Sequence, residues 1–360
     1  MACGFEPRRP YQHIGGPAGP GRRLAGMALP LPAPSLAGKP SLANARARPL
    51  ATRLEKGPCA MAASLATGIR QYAPLAHKAP SNSPAQLSLN AIAIRRAVVE
   101  YAHQYPDIPF HLGGSLSCAE IMAVLLGDVM DTGIHGSSWT ERDRLVLSKG
   151  HASLALWPAL LQADLLTQED IDKGMFGKDA VIGKQPRRDV RRGIELSGGS
   201  LGMGLGYASG LALAARRRGI SSRVFCVMGD GECDEGSVWE AASFAGHNRL
   251  DALTVIVDAN GLQLDGPTSQ VLDSGPLTGK FAAFGFDVQE VDGHSVSDLQ
   301  AALRTRGRKP RAMIAHTVKG KGLSFAEDDV KWHDRCLDED GYRRAVEQLD
   351  AAAREVRADE

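Results

Sequence analysis

The sequence predicts an α/β protein built on an open, mainly parallel sheet with helices on both faces. Three observations carry this. Val224-Phe225-Cys226-Val227-Met228 and Leu253-Thr254-Val255-Ile256-Val257 are continuous apolar runs, as expected of strands buried on both sides. The stretch between them has the length and pattern of a crossover helix, so the pair reads as a right-handed βαβ unit. Each run also stops at a short polar turn, Gly229-Asp230-Gly231 and Asp258-Ala259-Asn260-Gly261.

Taken in order, residues 1–85 stand apart. They hold 13 of the 20 prolines and eleven Lys/Arg against two acids, Glu6 and Glu55, with no apolar periodicity. This composition predicts a disordered Ala/Pro/Arg-rich extension. A transit peptide and an upstream start codon, with the protein beginning near Met27 or Met61, are the other two readings it admits. The segment contributes +9 to a net charge of +1, which leaves −8 on the remainder. An acidic body of that kind argues against nucleic-acid binding.

Helix and strand alternation begins near Leu87 and continues to about 355, predicting one ligand-binding domain over 86–355. Ile92, Ile94, Ala97, Val98 and Tyr101 mark a helix over Asn90–Tyr105. Ser117-Cys118-Ala119-Glu120 has the pattern of a capping box opening the helix Ile121–Leu126, with His111, Gly113 and Gly114 on the loop before it. Gly198-Gly199-Ser200-Leu201-Gly202 precedes a helix over Leu205–Ala215, and Ser237-Val238-Trp239-Glu240 reads as a second capping box for the crossover helix ending near His247. Phe286–Val288, a helix over Ser297–Arg304 and a strand over Ala312–Thr317 extend the sheet. The six cysteines form no C-x-x-C pair, so they are read as reduced thiols of a cytoplasmic protein. No apolar run reaches the roughly 18 residues needed to span a bilayer.

In open parallel sheets ligands bind beyond the carboxyl ends of the strands, where Asp230 and Asn260 both fall. A carboxylate and an amide oxygen are hard ligands suited to Mg²⁺, which completes its shell with phosphate and water. Gly229 and Gly231 permit close approach of a diphosphate to the positive end of the crossover helix. His111, His151 and His333 stand in glycine-rich or polar contexts fit for proton transfer or for donors to a sugar. His247 and His294 are read as structural.

At this point the residues resemble transketolase, in particular the N-terminal, thiamine-diphosphate-binding subunit of its two-chain form. The resemblance rests on H-L-G-G-S-L-S at 111–117, D-R-L-V-L-S-K-G-H-A at 143–152, G-G-S-L-G-M-G at 198–204, G-D-G-E-C-D-E-G at 229–236, N-G-L-Q-L-D-G-P-T at 260–268 and T-V-K-G-K-G at 317–322. It implies Mg²⁺ on Asp230, Asn260 and the Leu262 carbonyl. It implies thiamine diphosphate contacts from His151, Gly199, Ser200, Leu201, Gly231, Asn260 and His333, and catalytic roles for His111, His151 and His333. It places Glu235 at the contact that links active sites across an interface. The implied reaction moves a two-carbon ketol unit from a ketose phosphate to an aldose, with the cofactor ring as electron sink. It also implies a separate C-terminal chain that binds the pyrimidine ring, in an α₂β₂ assembly.

Three positions depart from the family pattern: Leu112 where proline is usual, Gln185-Pro186 where His-Pro is usual, and Met203 where glutamine is common. Two other readings stand beside the resemblance: the α subunit of a 2-oxo acid dehydrogenase, and a catalytically silent or regulatory cofactor-binding subunit.

Overall fold

A computed structural model describes residues 82–134 and 138–358. The extension expected at 1–85 therefore lies almost wholly outside the described residues. These build a five-stranded, all-parallel sheet: β1 Arg144–Leu147, β2 Val224–Gly229, β3 Leu253–Ala259, β4 Asp287–Asp292 and β5 Arg311–His316, in the order β1-β2-β3-β5-β4. The expected βαβ unit is present, and β2 and β3 each run further toward the polar turns than the apolar runs alone indicate. Asp258 is thus a strand residue, paired in register with Gly229.

The helices that matter below are α1 Pro84–Gln104, α2 Ser153–Gln162, α3 Met203–Arg217, α4 Gly236–His247, α5 Leu277–Ala283, α6 Val296–Arg304 and α7 Glu339–Ala358. A distorted segment joins them, coiling as Leu112–Leu116, Ala119–Val124 and a wider turn at Leu125–Val129. Alternate strand residues sort onto two faces, as buried parallel strands must. Leu145, Leu147, Phe225, Val227, Ile256 and Met313 pack with α1, α2, α6, α7 and the 112–129 segment. Val146, Cys226, Met228, Val255, Val257 and Ile314 pack with α3, α4 and α5. At about 25 cal/mol per Å² of apolar surface, these two layers are the main stabilising term.

Neither expected capping box forms. Cys118 takes the N-cap position of Ala119–Val124 without a side-chain cap, and Glu120 turns to meet Arg95 instead, Nη1 and Nη2 each donating at 2.6 Å. Glu235, not Ser237, occupies the N-cap of α4, and the Ser237 hydroxyl donates to the Gly202 carbonyl at 3.1 Å. Buried ion pairing and loop tethering outcompete a local cap because both satisfy groups that cannot reach water.

Burial alone would raise the Glu120 carboxyl, but Arg95 and His294 outweigh it and hold it down to about 2. A depressed carboxylate stabilises the fold above its ordinary value of 4.5 and loses that contribution as pH falls toward 2. Glu120→Gln should therefore cost about 3 kcal/mol at pH 7, at roughly 1.4 kcal/mol for each pH unit of that interval. Urea melts should show the gap from wild type narrowing at pH 3; an unchanged gap would refute this account.

Candidate active site

The sheet's carboxyl edge gathers the candidate side chains. Phe110 and Arg335 form an antiparallel bridge, each N–H donating to the other's carbonyl at 3.1 Å, and this draws the 111 and 333 segments together. His111 and His333 then stand with ring centroids 5.3 Å apart, and His151 completes a triangle at 5.4 Å from His111 and 5.6 Å from His333. The 112–116 stretch, expected as loop, is a single helical turn. It fits tightly, since a Cβ on Gly114 would stand 3.2 Å from the His151 ring.

All three imidazoles are held neutral. Burial pulls His151 down to about 2, assisted by Lys149, and pulls His333 down to about 4, assisted by Lys319. Burial also lowers His111, against the opposing pull of Asp334. Neutral rings can both accept and donate, which proton-handling at pH 7 requires.

The polar turns after β2 and β3 meet as expected. Asp230 Oδ2 accepts the Gly261 N–H at 2.6 Å and Oδ1 accepts the Gly231 N–H at 2.8 Å. Asn260 Oδ1 accepts the Leu262 N–H at 3.2 Å, while its Nδ2 donates to Asp258 at 3.0 Å. Burial, then the charge of Asp258, pushes the Asp230 carboxyl up to about 6. The Leu262 carbonyl accepts from the Lys319 ammonium at 2.8 Å. Among the described residues no three His, Cys, Asp or Glu side chains converge as a metal cage. A cation here would thus draw on the single Asp230 carboxylate with amide, carbonyl, phosphate and water oxygens, the habit of Mg²⁺.

Beneath Asn260 lies a buried network. Asp258, fully enclosed, accepts from Lys149, from Ser117 Oγ at 2.7 Å, from Asn260 Nδ2 and from Thr317 Oγ1. Burial works against both charges, yet each holds the other: Asp258 lies below the usual aspartate range and Lys149 above the usual lysine range. A second knot forms at buried Glu232, which accepts from Ser148 Oγ, from the Gly202 N–H at 2.8 Å and from the Gly229 N–H at 3.1 Å. It ties the glycine loop before α3 to the turn after β2.

That glycine loop serves packing and access together. A Cβ on Gly198 would stand 2.9 Å from the Gly150 Cα, so the loop abuts the turn carrying His151, while Gly199 and Ser200 stay exposed and Leu201 is half-buried. Gly231 lies under the Gln263 side chain. Gln185 packs against Gly150, and its Oε1 is buried without a hydrogen-bond partner among the described residues. Leu112 is buried, Met203 opens α3 largely exposed, and Glu235 is exposed.

Sequence reasoning brought together His111, His151, His333, Asp230, Asn260, Leu262 and Gly231, and the structure places them on one edge. It missed Lys149, Asp258, Lys319 and Glu232. The signals were an acid ending an apolar strand, and two lysines flanked by glycine turns within motifs already singled out. His294 is structural as expected, with Nδ1 on Glu120 at 3.1 Å and Nε2 accepting from Val318 N–H at 2.8 Å.

Comparison with known proteins identifies the family. The family described as transketolase, thiamine diphosphate binding domain, matches residues 90–355. The chain is 41% identical over 246 residues, 67% of its length and 88% of the relative's, to the 6-deoxy-6-sulfo-D-fructose transketolase subunit SqwG of Clostridium sp. (strain MSTE9). It is 35% identical over 267 residues, 73% of its length and 93% of the relative's, to an apulose-4-phosphate transketolase subunit of Phocaeicola vulgatus. Among solved structures, Campylobacter jejuni transketolase superposes with a TM-score of 0.66 at 27% identity, over 75% of this chain. The chain spans 45% of that transketolase's length. These findings set aside the 2-oxo acid dehydrogenase reading. The chain belongs to the transketolase family, as a subunit corresponding to its thiamine-diphosphate-binding domain.

Proposed function

We propose that this chain is the diphosphate- and magnesium-holding half of a two-chain transketolase. It would transfer a two-carbon ketol unit from a ketose bearing an anionic group, a phosphate in the first instance, to an aldose acceptor. The observation that carries the proposal is the convergence of three neutral histidines on the edge where the Asp230 and Asn260 turns meet. The two relatives named for their substrates carry a sulfonate sugar and a sugar phosphate in those names, which supports the anionic group.

Asp230, Asn260 and the Leu262 carbonyl are the proposed magnesium ligands. The donor chemistry fits: all are oxygens, two already sit on one turn, and the Asp230 carboxylate accepts only from backbone N–H groups among the described residues. His151, Gly199, Ser200, Leu201, Gly231, Asn260 and His333 are the proposed cofactor contacts, and Gly199, with open space about its Cα, leaves the backbone free for close approach. Thiamine diphosphate, when bound, supplies the electron sink for carbon–carbon cleavage. The chain's own task is to orient the sugar and handle protons: His111 and His333 hydrogen-bond its hydroxyl and carbonyl oxygens, and the enclosed site strengthens each such contact.

A partner chain supplying the pyrimidine-binding domain, in an α₂β₂ assembly with Glu235 at an interface, completes the proposal. The word subunit in the relatives' names supports a partner. The domain would run over 86–355, and the cytoplasm is its proposed location; among the described residues no helix is long and apolar enough to cross a membrane, and four cysteines are free.

Co-expression with an adjacent transketolase-like chain tests this. Ketol transfer from xylulose 5-phosphate should require both chains, Mg²⁺ and thiamine diphosphate. A stable, cofactor-loaded but inactive pair would favour a silent subunit, the reading that Gln185, with its unpartnered Oε1, motivates. In an active pair, His111→Ala should lower kcat by roughly 10²–10⁴ while cofactor affinity stays nearly unchanged. An unaffected rate would remove His111 from the site.

A further inference from the structure

His111 and His333 differ in what their Nδ1 atoms meet. His111 Nδ1 lies 3.1 Å from the His333 carbonyl oxygen and 3.6 Å from Asp334 Oδ1, both acceptors. A nitrogen held between acceptors carries the proton, so neutral His111 is the Nδ1–H form and its Nε2 is a bare acceptor. His333 Nδ1 lies 2.9 Å from Lys319 Nζ. An ammonium only donates, so here Nδ1 accepts and the ring proton sits on Nε2. No hydrogen bond among the described residues uses Nε2 of either ring, which leaves one acceptor and one donor for a ligand.

Lys319 is built for this orientation. Its ammonium has three N–H groups and meets three acceptors: His333 Nδ1, the Leu262 carbonyl at 2.8 Å and the Gln263 carbonyl at 3.4 Å. No carboxylate lies within ion-pair distance of it among the described residues. Its stem is buried against the 112–116 turn, where a Cβ on Gly113 would stand 2.9 Å from Lys319 Cγ, and the Gly320 N–H donates to the Gly113 carbonyl at 3.1 Å. The lysine is therefore fixed from both ends.

We propose that Lys319 is a positioning residue that locks His333 as an Nε2–H donor opposite His111 as an Nε2 acceptor, a matched pair for the carbonyl and neighbouring hydroxyl of an α-hydroxyketone. This deepens the ketol-transfer reading by assigning which ring accepts the hydroxyl proton and which donates to the carbonyl oxygen. It rests on that reading for the ligand, but the tautomers themselves do not.

Long-range ¹⁵N–¹H spectra of the full chain, labelled at histidine and assigned by single His→Gln variants, test it at pH 7 without substrate or partner. The expected result is His333 protonated at Nε2 and His111 at Nδ1. Lys319→Met should turn His333 into a tautomer mixture and leave His111 unchanged; in the active pair it should lower kcat about tenfold or more with KM little altered. A wild-type His333 protonated at Nδ1 overturns the proposal, and so does an unchanged His333 spectrum in folded Lys319→Met. If that variant does not fold, the wild-type spectrum decides alone. Correct tautomers in a pair lacking ketol transfer would leave this assignment standing and defeat the functional reading instead.

Discussion

Replacing Lys149 by methionine is expected to destabilise the chain by about 3–5 kcal/mol, the range for stranding one charge of a buried ion pair. Asp258 is fully enclosed and Lys149 nearly so. Methionine matches the stem in length, so lost packing contributes little and the effect reports the uncompensated carboxylate. Asp258 also holds Ser117, Asn260 and Thr317, so its reorganisation reaches the turns after β3 and β5. The double variant Lys149→Met with Asp258→Asn should recover part of the loss by removing the stranded charge. Urea denaturation of the three chains measures this. Equal stability of Lys149→Met and wild type would show that the pair is not compensating in the way its burial demands.

Asp230→Ala is expected to abolish magnesium-dependent binding of thiamine diphosphate, weakening it at least about a hundredfold (~3 kcal/mol), while the fold is retained. Two features make the fold tolerant. Among the described residues the Asp230 carboxylate accepts only from the backbone N–H groups of Gly231 and Gly261, and β2 and β3 are held by their ladder. Removing the carboxylate also relieves its repulsion with Asp258, which offsets part of the lost hydrogen bonding. Titration of the full chain with thiamine diphosphate, with and without Mg²⁺, followed by calorimetry and paired with circular dichroism, separates binding from folding. Undiminished magnesium-dependent binding would remove Asp230 from the metal site.

The legible part of the fold was the part with simple periodicity. Strands β2, β3 and β5 and helices α1, α3, α4 and α6 follow from apolar runs or helical spacing that burial reinforces. Strand β1 was hidden because Arg144–Leu147 is four residues long, too short to show a period, and it is recognised by pairing with β2. Helix α7 was hidden for the opposite reason. Nearly half of its residues are charged, and its narrow apolar seam of Ala345, Leu349 and Ala353 gains meaning only against α1. The two capping boxes were misread because Ser117 and Ser237 each found a distant partner, which local sequence cannot display.

The same limit applied to the site. Asp230, Asn260 and the histidines could be found because strand ends and glycine turns mark them locally. Asp258, Lys149 and Lys319 could not be assigned, since what defines each is a partner between 14 and 109 positions away. Their chemistry is a property of the closed sheet and has no local signature.

The bridge between Phe110 and Arg335 has a consequence for how the chain acquires activity during its synthesis. The His111 and His333 rings come from segments 222 positions apart, with every strand of the sheet between them. A nascent chain would present the Asp230 and Asn260 turns long before His333 emerges, and closing so long a loop is entropically costly until the sheet can reward it. The site is therefore completed in one late step, so a chain stalled short of residue 333 would possess the Asp230 and Asn260 turns and His111 without the ring of His333.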